Sequence, residues 1–206
     1  MSAIEGKPVP GAVFNLPNQL TSLRLLLSVV MFFLIPWEFY WTCLVLFVVA
    51  AGTDWLDGYY ARKYGQVTTL GRILDPFADK VIICGTFIFL AAIPRMLETP
   101  WGIRPWMVVV IVGRELLVTA LRSFLEQRGA DFSAKMSGKL KMLLQCIAAG
   151  AALVYLSFGN LPIGQPGWVW WTMVLSTWAA VLLTVYSGLI YVVAAVRLLR
   201  KMQHIP

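Results

Sequence analysis

Four aspartates, Asp54, Asp57, Asp75 and Asp79, follow one another at intervals of three, eighteen and four residues between two strongly apolar stretches. A carboxylate near hydrocarbon is unfavourable, by about +2.5 to 3.5 kcal/mol at a helix centre. Four of them call for compensation, which one or two divalent cations would supply. On helices, Asp54 and Asp57 share one face, as do Asp75 and Asp79. Gly58 and Ala61 continue the first face with almost no side chain, and Gly71 stands one turn before Asp75. Small residues there leave room for a bulky ligand to reach the backbone, or for helices to pack closely. Arg62, one turn beyond Gly58, carries a fixed fork of donors suited to phosphate.

Hard carboxylate oxygens without histidine or cysteine favour Mg2+ or Mn2+ over zinc. The single histidine, His204, is remote from the aspartates in sequence and is not expected as base or ligand. Cys43, Cys84 and Cys146 are odd in number and sit in apolar segments, so they read as small core residues rather than a disulfide framework. Two cations a few ångströms apart could clamp a pyrophosphate and stabilise a leaving phosphate. One carboxylate, less committed to metal, could take the proton of an attacking hydroxyl. The competing reading is a charge network with Arg62, Arg72 and Lys80 at the membrane edge. Four acids with small residues and Arg62 at set spacings favour a site.

The elements that must position these groups are helices in a membrane. The chain has 206 residues, 59% hydrophobic and 13% charged, with long apolar runs that exclude an ordinary soluble domain. Six transmembrane helices fit, over 20–36, 39–61, 71–94, 105–126, 138–157 and 168–198. The first is expected as an uncleaved anchor. Pro36-Trp37-Glu38, the stretch Pro94–Pro105 and the stretch Phe158–Gly167 read as exposed turns. Of the 17 Lys and Arg residues, only Arg95 and Arg104 fall on the side of these turns, and Arg114 lies within a span. That asymmetry places both termini and the aspartates in the cytoplasm, with Trp37, Trp41, Trp101, Trp106, Trp168, Trp170 and Trp171 as an outer aromatic belt. The formal charge of +7 is assigned to this topology and to anionic lipid rather than to nucleic acid. By helix rise, Asp54 lies about 24 Å from Glu38, Asp79 about 22 Å from Pro94 and Arg122 about 24 Å from Trp106. All three are then level, at the depth of a lipid head group.

A second group of residues speaks to what meets that site. Glu115 and Arg122 are seven apart and nearly on one helix face, and Lys139 and Lys141 enter the membrane level with the aspartates. Such cations suit an acceptor carrying its own phosphate. Arg114, Arg122, Lys139 and Lys141 are therefore assigned to an acceptor phosphate. Arg122, Lys139 and Lys141 could equally be anchors on lipid phosphate. Arg114, about 12 Å from Trp106, is too deep for that and either pairs with Glu115 or another acid, or reaches the cavity. Asn18, Thr21 and Arg24 could line the pocket, but capping and anchoring the first helix is the favoured reading.

The pattern Asp54-x2-Asp57-Gly58-x2-Ala61-Arg62-x8-Gly71-x3-Asp75-x3-Asp79 resembles the complete signature of the CDP-alcohol phosphotransferases. The resemblance implies an all-α, six-helix integral membrane fold, commonly a homodimer, with a dinuclear Mg2+ or Mn2+ site on the cytoplasmic side of the inner membrane. It implies metal binding by Asp54, Asp57, Asp75 and Asp79, with Asp79 also the catalytic base, and a nucleotide and diphosphate pocket at Gly58, Ala61, Arg62 and Gly71. Segments at Asn15–Arg24, Gly113–Arg122 and Ser137–Lys141 resemble, along residues 15–198, the branch using CDP-diacylglycerol as donor and sn-glycerol 3-phosphate as acceptor. On this reading residues 1–14 are a cytoplasmic or interfacial segment, 15–200 the enzyme domain and 201–206 a cytoplasmic tail. Other acceptors (inositol phosphate, serine, phosphatidylglycerol) are the neighbouring alternatives. A divalent-cation transporter and an idle lipid-binding scaffold are the alternatives outside the class.

Overall fold

The computed structural model describes residues 16–64, 69–126, 136–159 and 166–203. Side chains are described for all of these except 16–17, 54–64, 69–73, 125–126, 136–139, 198 and 201–203. Every element among the described residues is helical: α1 (Leu16–Leu34), α2 (Tyr40–Tyr64), α3 (Thr69–Ala92), α4 (Pro94–Glu98), α5 (Pro105–Glu126), α6 (Met136–Gly159) and α7 (Gly167–Gln203), with a 3-10 turn at Ile35–Trp37. Prolines punctuate the order. Pro36 opens the 3-10 turn after α1, and Pro94 and Pro105 stand at the first positions of α4 and α5, where a missing N–H is harmless.

Three helical stretches, Asn18–Trp37, Leu140–Gly159 and Gly167–Arg197, are long and apolar enough to cross a membrane. The protein is accordingly a membrane protein. α3 and α5, at 24 and 22 residues, are also long, but carry Asp75, Asp79 and Lys80 in one and Arg114, Glu115 and Arg122 in the other. Those ionisable groups are why composition alone does not single them out. Large apolar side chains such as Val109, Leu116, Leu175 and Leu182 are exposed, as suits helices surrounded by lipid.

The chain divides into two compact units, one ending at Phe89 and the other beginning at Leu90. In the first, α1 packs along α2. Arg24 meets Thr53 and Met31 meets Cys43, so these two helices run antiparallel. α3 lies parallel to α1: Thr21 meets Asp75, Arg24 meets Asp79 and Phe32 stacks on Phe89 with ring centroids 5.1 Å apart. Gly85 belongs to this contact, because a β-carbon there would overlap the Phe32 ring.

In the second unit, α7 packs against both α6 and α5. Ala148, Ala149 and Ala152 of α6 and Ala180 of α7 are fully buried, so small residues let these helix backbones approach. The segment from Pro94 to Pro105, expected as an exposed loop, is instead a folded corner. Met96, Thr99 and Ile103 are buried, and Thr99 Oγ1 and the Tyr155 hydroxyl share a 3.1 Å hydrogen bond. Arg104 donates to the carbonyls of Leu97 and Thr99, which satisfies the end of α4. Trp178 donates from Nε1 to the Trp101 carbonyl at 3.2 Å and takes the edges of Trp101 and Trp106 at 5.9 Å. Of the tryptophans expected in an interfacial belt, Trp37 and Trp41 in the first unit and Trp101, Trp106, Trp168 and Trp171 in the second are exposed, while Trp170 is partly covered. The three cysteines form no disulfide, and Cys43 is buried.

Candidate active site

The first unit brings a polar strip of α1 against the acidic face of α3. Asn18, Thr21, Arg24 and Ser28 recur every three or four residues in an otherwise apolar helix, so they share one face, and all four are buried. The expectation that Asn18, Thr21 and Arg24 cap and anchor α1 is corrected. The helix already begins at Leu16 with Pro17 in its first turn, so the three residues lie inside it and point into the protein.

Thr21 Oγ1 donates to Asp75 Oδ1 at 2.5 Å, and Arg24 Nη1 donates to Asp79 Oδ1 at 2.8 Å. The Arg24 side chain is only 1% exposed, whereas Asp79 keeps 28% of its surface accessible. A charge-assisted bond of this length is about twice as strong as a neutral one. It also helps to compensate the burial of the guanidinium charge. Arg24 Nε reaches Thr53 Oγ1 at 3.5 Å, and Thr53 in turn donates to the Ala50 carbonyl at 2.7 Å. The Thr53 hydroxyl proton is therefore used within α2, and its lone pairs face the guanidinium. Lys80 Nζ donates to the Pro76 carbonyl at 3.0 Å.

Asp75 and Asp79 are thus oriented oxygen donors one helical turn apart. A carboxylate offers about four lone-pair directions, so a single bond from Thr21 or Arg24 is compatible with metal ligation, and the donor chemistry fits a hard divalent cation. The side chains of Asp54, Asp57, Gly58, Ala61 and Arg62 on α2, Gly71 on α3 and Lys139 on α6 lie outside the described residues.

The second unit holds the other candidate residues. Lys141 Nζ and Arg114 Nη1 both meet Glu115 Oε1, the latter at 3.4 Å, with side-chain exposures of 5%, 11% and 14% for Lys141, Arg114 and Glu115. Arg114 also lies over the Tyr191 ring, 5.5 Å from its centre. Arg114 thus pairs with Glu115, one of the fates expected for it. Among the described residues, the Nε of Arg114 and the Nε of Arg122 are buried without a hydrogen-bond partner. Gln145 Nε2 donates to Thr184 Oγ1 at 3.4 Å, linking α6 to α7. Among the described residues Lys141 and Arg114 share the Glu115 carboxylate, and the unpartnered Nε atoms of Arg114 and Arg122 are suited to an additional anion.

Sequence reasoning passed over the pairing of Thr21 and Arg24 with the aspartates. The signal was present in the three- and four-residue recurrence of polar side chains along an apolar helix. The sharing of Glu115 by Lys141 and Arg114 has no such local mark, since Glu115 and Lys141 lie on different helices, α5 and α6, that both pack against α7.

Residues 14–186 match the family described as CDP-alcohol phosphatidyltransferase, and the chain belongs to that family. Among curated proteins it is 36% identical over 192 residues to the CDP-diacylglycerol--glycerol-3-phosphate 3-phosphatidyltransferase of Bacillus subtilis, covering 85% of this chain and 92% of the relative. Proteins of the same name from Salmonella typhimurium (33% over 191 residues, 88% and 95% covered) and Blochmanniella floridana (31% over 185 residues, 87% and 90% covered) are also similar.

Proposed function

We propose that this protein transfers the phosphatidyl group of CDP-diacylglycerol to sn-glycerol 3-phosphate, giving phosphatidylglycerophosphate and CMP. The observation that carries the reading is the unbroken run from Asp54 to Asp79 in a chain of this family, with Asp75 and Asp79 held side by side on α3. The similarity to relatives bearing that activity in their names supports the donor and the acceptor.

In this mechanism Gly58, Ala61, Arg62 and Gly71 hold the nucleotide and diphosphate, the small residues giving access to the backbone and Arg62 binding phosphate. Arg114, Arg122, Lys139 and Lys141 bind the acceptor phosphate. Asp79 takes the proton of the acceptor's 1-hydroxyl as its oxygen attacks the lipid-side phosphorus, and the bond from that phosphorus to CMP breaks. Two divalent cations, Mg2+ or Mn2+, held by Asp54, Asp57, Asp75 and Asp79, would neutralise the diphosphate and the departing CMP. We assign the enzyme to the cytoplasmic membrane as a homodimer, with six spans over α1, α2, α3, α5, α6 and α7, both termini and the site on the cytoplasmic side, residues 1–14 as an interfacial segment and 201–206 as a tail. The lysine and arginine distribution supports that orientation.

The test is CMP release by purified protein from CDP-diacylglycerol, with each candidate alcohol, in the presence and absence of Mg2+. Release that requires both glycerol 3-phosphate and Mg2+ is expected. Release with serine but not glycerol 3-phosphate would move the enzyme to another branch of the family.

A further inference from the structure

We propose that α1 is the positioning element of the carboxylate site, with Arg24 fixing the orientation of Asp79 and Thr21 that of Asp75. The inference rests on the proposed reading of Asp79 as base and adds two residues to it. Three observations carry it. Thr21 and Arg24 are three apart on α1, Asp75 and Asp79 are four apart on α3, and the two helices run parallel. About one turn of α1 therefore faces one turn of α3. Arg24 is also buried, which is the wrong state for a lysine or arginine serving only as a membrane anchor, since such side chains extend to the aqueous boundary. Finally, the same guanidinium reaches Thr53, the neighbour of Asp54, so one side chain links α2 to the acidic face of α3.

An aspartate side chain turns freely about two bonds. A bond from a rigid, planar guanidinium removes that freedom before substrate arrives, which is what a proton acceptor needs to lie within reach of a hydroxyl. Arg24 does not touch the reacting atoms in this scheme. It acts through Asp79.

The experiment compares Arg24→Gln, Arg24→Lys, Thr21→Val, Asp79→Asn and the double variant Arg24→Gln/Asp79→Asn, purified in detergent. Thermal unfolding without added metal reads the pair independently of catalysis, and steady-state kinetics with Mg2+ reads its purpose. Because removing one partner of a buried pair is worse than removing both, the double variant is expected to melt above Arg24→Gln alone. Misplacement of a reacting group by about 1 Å can reduce rate 10²-fold. Arg24→Gln is therefore expected to lower kcat by about that factor while the KM for glycerol 3-phosphate stays within about threefold. Arg24→Lys, which keeps the charge but not the fork, should recover part of kcat, and Thr21→Val should lower kcat less than Arg24→Gln. A kcat for Arg24→Gln within threefold of the parent overturns the proposal, as does a double variant whose melting loss is the sum of the two single losses. If Arg24→Gln does not fold, Arg24→Lys carries the kinetic test, and full activity in that variant counts against the need for the fork. Asp79→Asn separates the two layers of the argument. If it stays active, the reading of Asp79 as base fails. If it is inactive while Arg24→Gln turns over normally, only the positioning role fails.

Discussion

Replacing Glu115 by glutamine removes the anion shared by Lys141 and Arg114 while keeping the shape of the side chain. The Arg114–Glu115 separation of 3.4 Å corresponds to an attraction of about 5 kcal/mol at an effective dielectric of 20. Desolvation offsets part of that in the intact protein, but not in the variant, where Arg114 and Lys141 stay buried and lose the Glu115 charge. Removing one member of a buried pair destabilises by about 3–5 kcal/mol. For a chain of this size that corresponds to a fall in Tm of roughly 6–20 °C. The assay is thermal unfolding in detergent followed by intrinsic fluorescence, for which the chain supplies 9 tryptophans. Glycerol 3-phosphate should return part of the lost stability to Glu115→Gln, because its phosphate replaces the missing negative charge. A shift below about 2 °C would show that Glu115 does not compensate Arg114 and Lys141. Absence of any stabilisation by glycerol 3-phosphate would remove Arg114 and Lys141 from the acceptor site.

Three further outcomes are expected from the proposed function and the structure. Asp57→Asn and Asp75→Asn should abolish turnover, whereas Asp79→Asn should spare CDP-lipid binding more than catalysis; equal loss of binding in all three, measured by titration with CDP-diacylglycerol, would make Asp79 one more ligand. Arg122→Ala should raise the KM for glycerol 3-phosphate more than that for CDP-diacylglycerol, and the reverse pattern in steady-state kinetics would place Arg122 with the donor. Gly85→Leu forces a side chain into the Phe32 ring, so thermal unfolding should reveal a loss of about 1–3 kcal/mol.

Much of the scaffold was legible because long apolar runs bounded by proline leave few alternatives to helix. Each of the six expected ranges coincides with one of α1, α2, α3, α5, α6 and α7, with ends displaced by a few residues. The corner between α3 and α5 was misjudged for a physical reason. Proline, glycine and charge over Pro94–Arg104 suggest solvent, but Pro94 also starts a helix well, and Met96 and Ile103 give that helix something to bury. The acidic face of α3 was equally plain from the spacing of Asp75 and Asp79. The partners of these acids were not, since helical spacing tells which residues share a face but not which helix that face meets. Arg24 counts as one more positive charge near the cytoplasm until α3 is laid beside it. Lys141 likewise reads as an anchor or a phosphate ligand until α5 brings Glu115 to it.

Binding of Mn2+ by the purified protein, counted by electron paramagnetic resonance in the presence of CDP-diacylglycerol, tests the aspartate site most directly. About two ions per chain are expected, reduced in Asp75→Asn and Asp79→Asn and displaced by Mg2+. Uptake that is absent from the parent protein, or unchanged in both variants, would contradict a metal site built from these carboxylates.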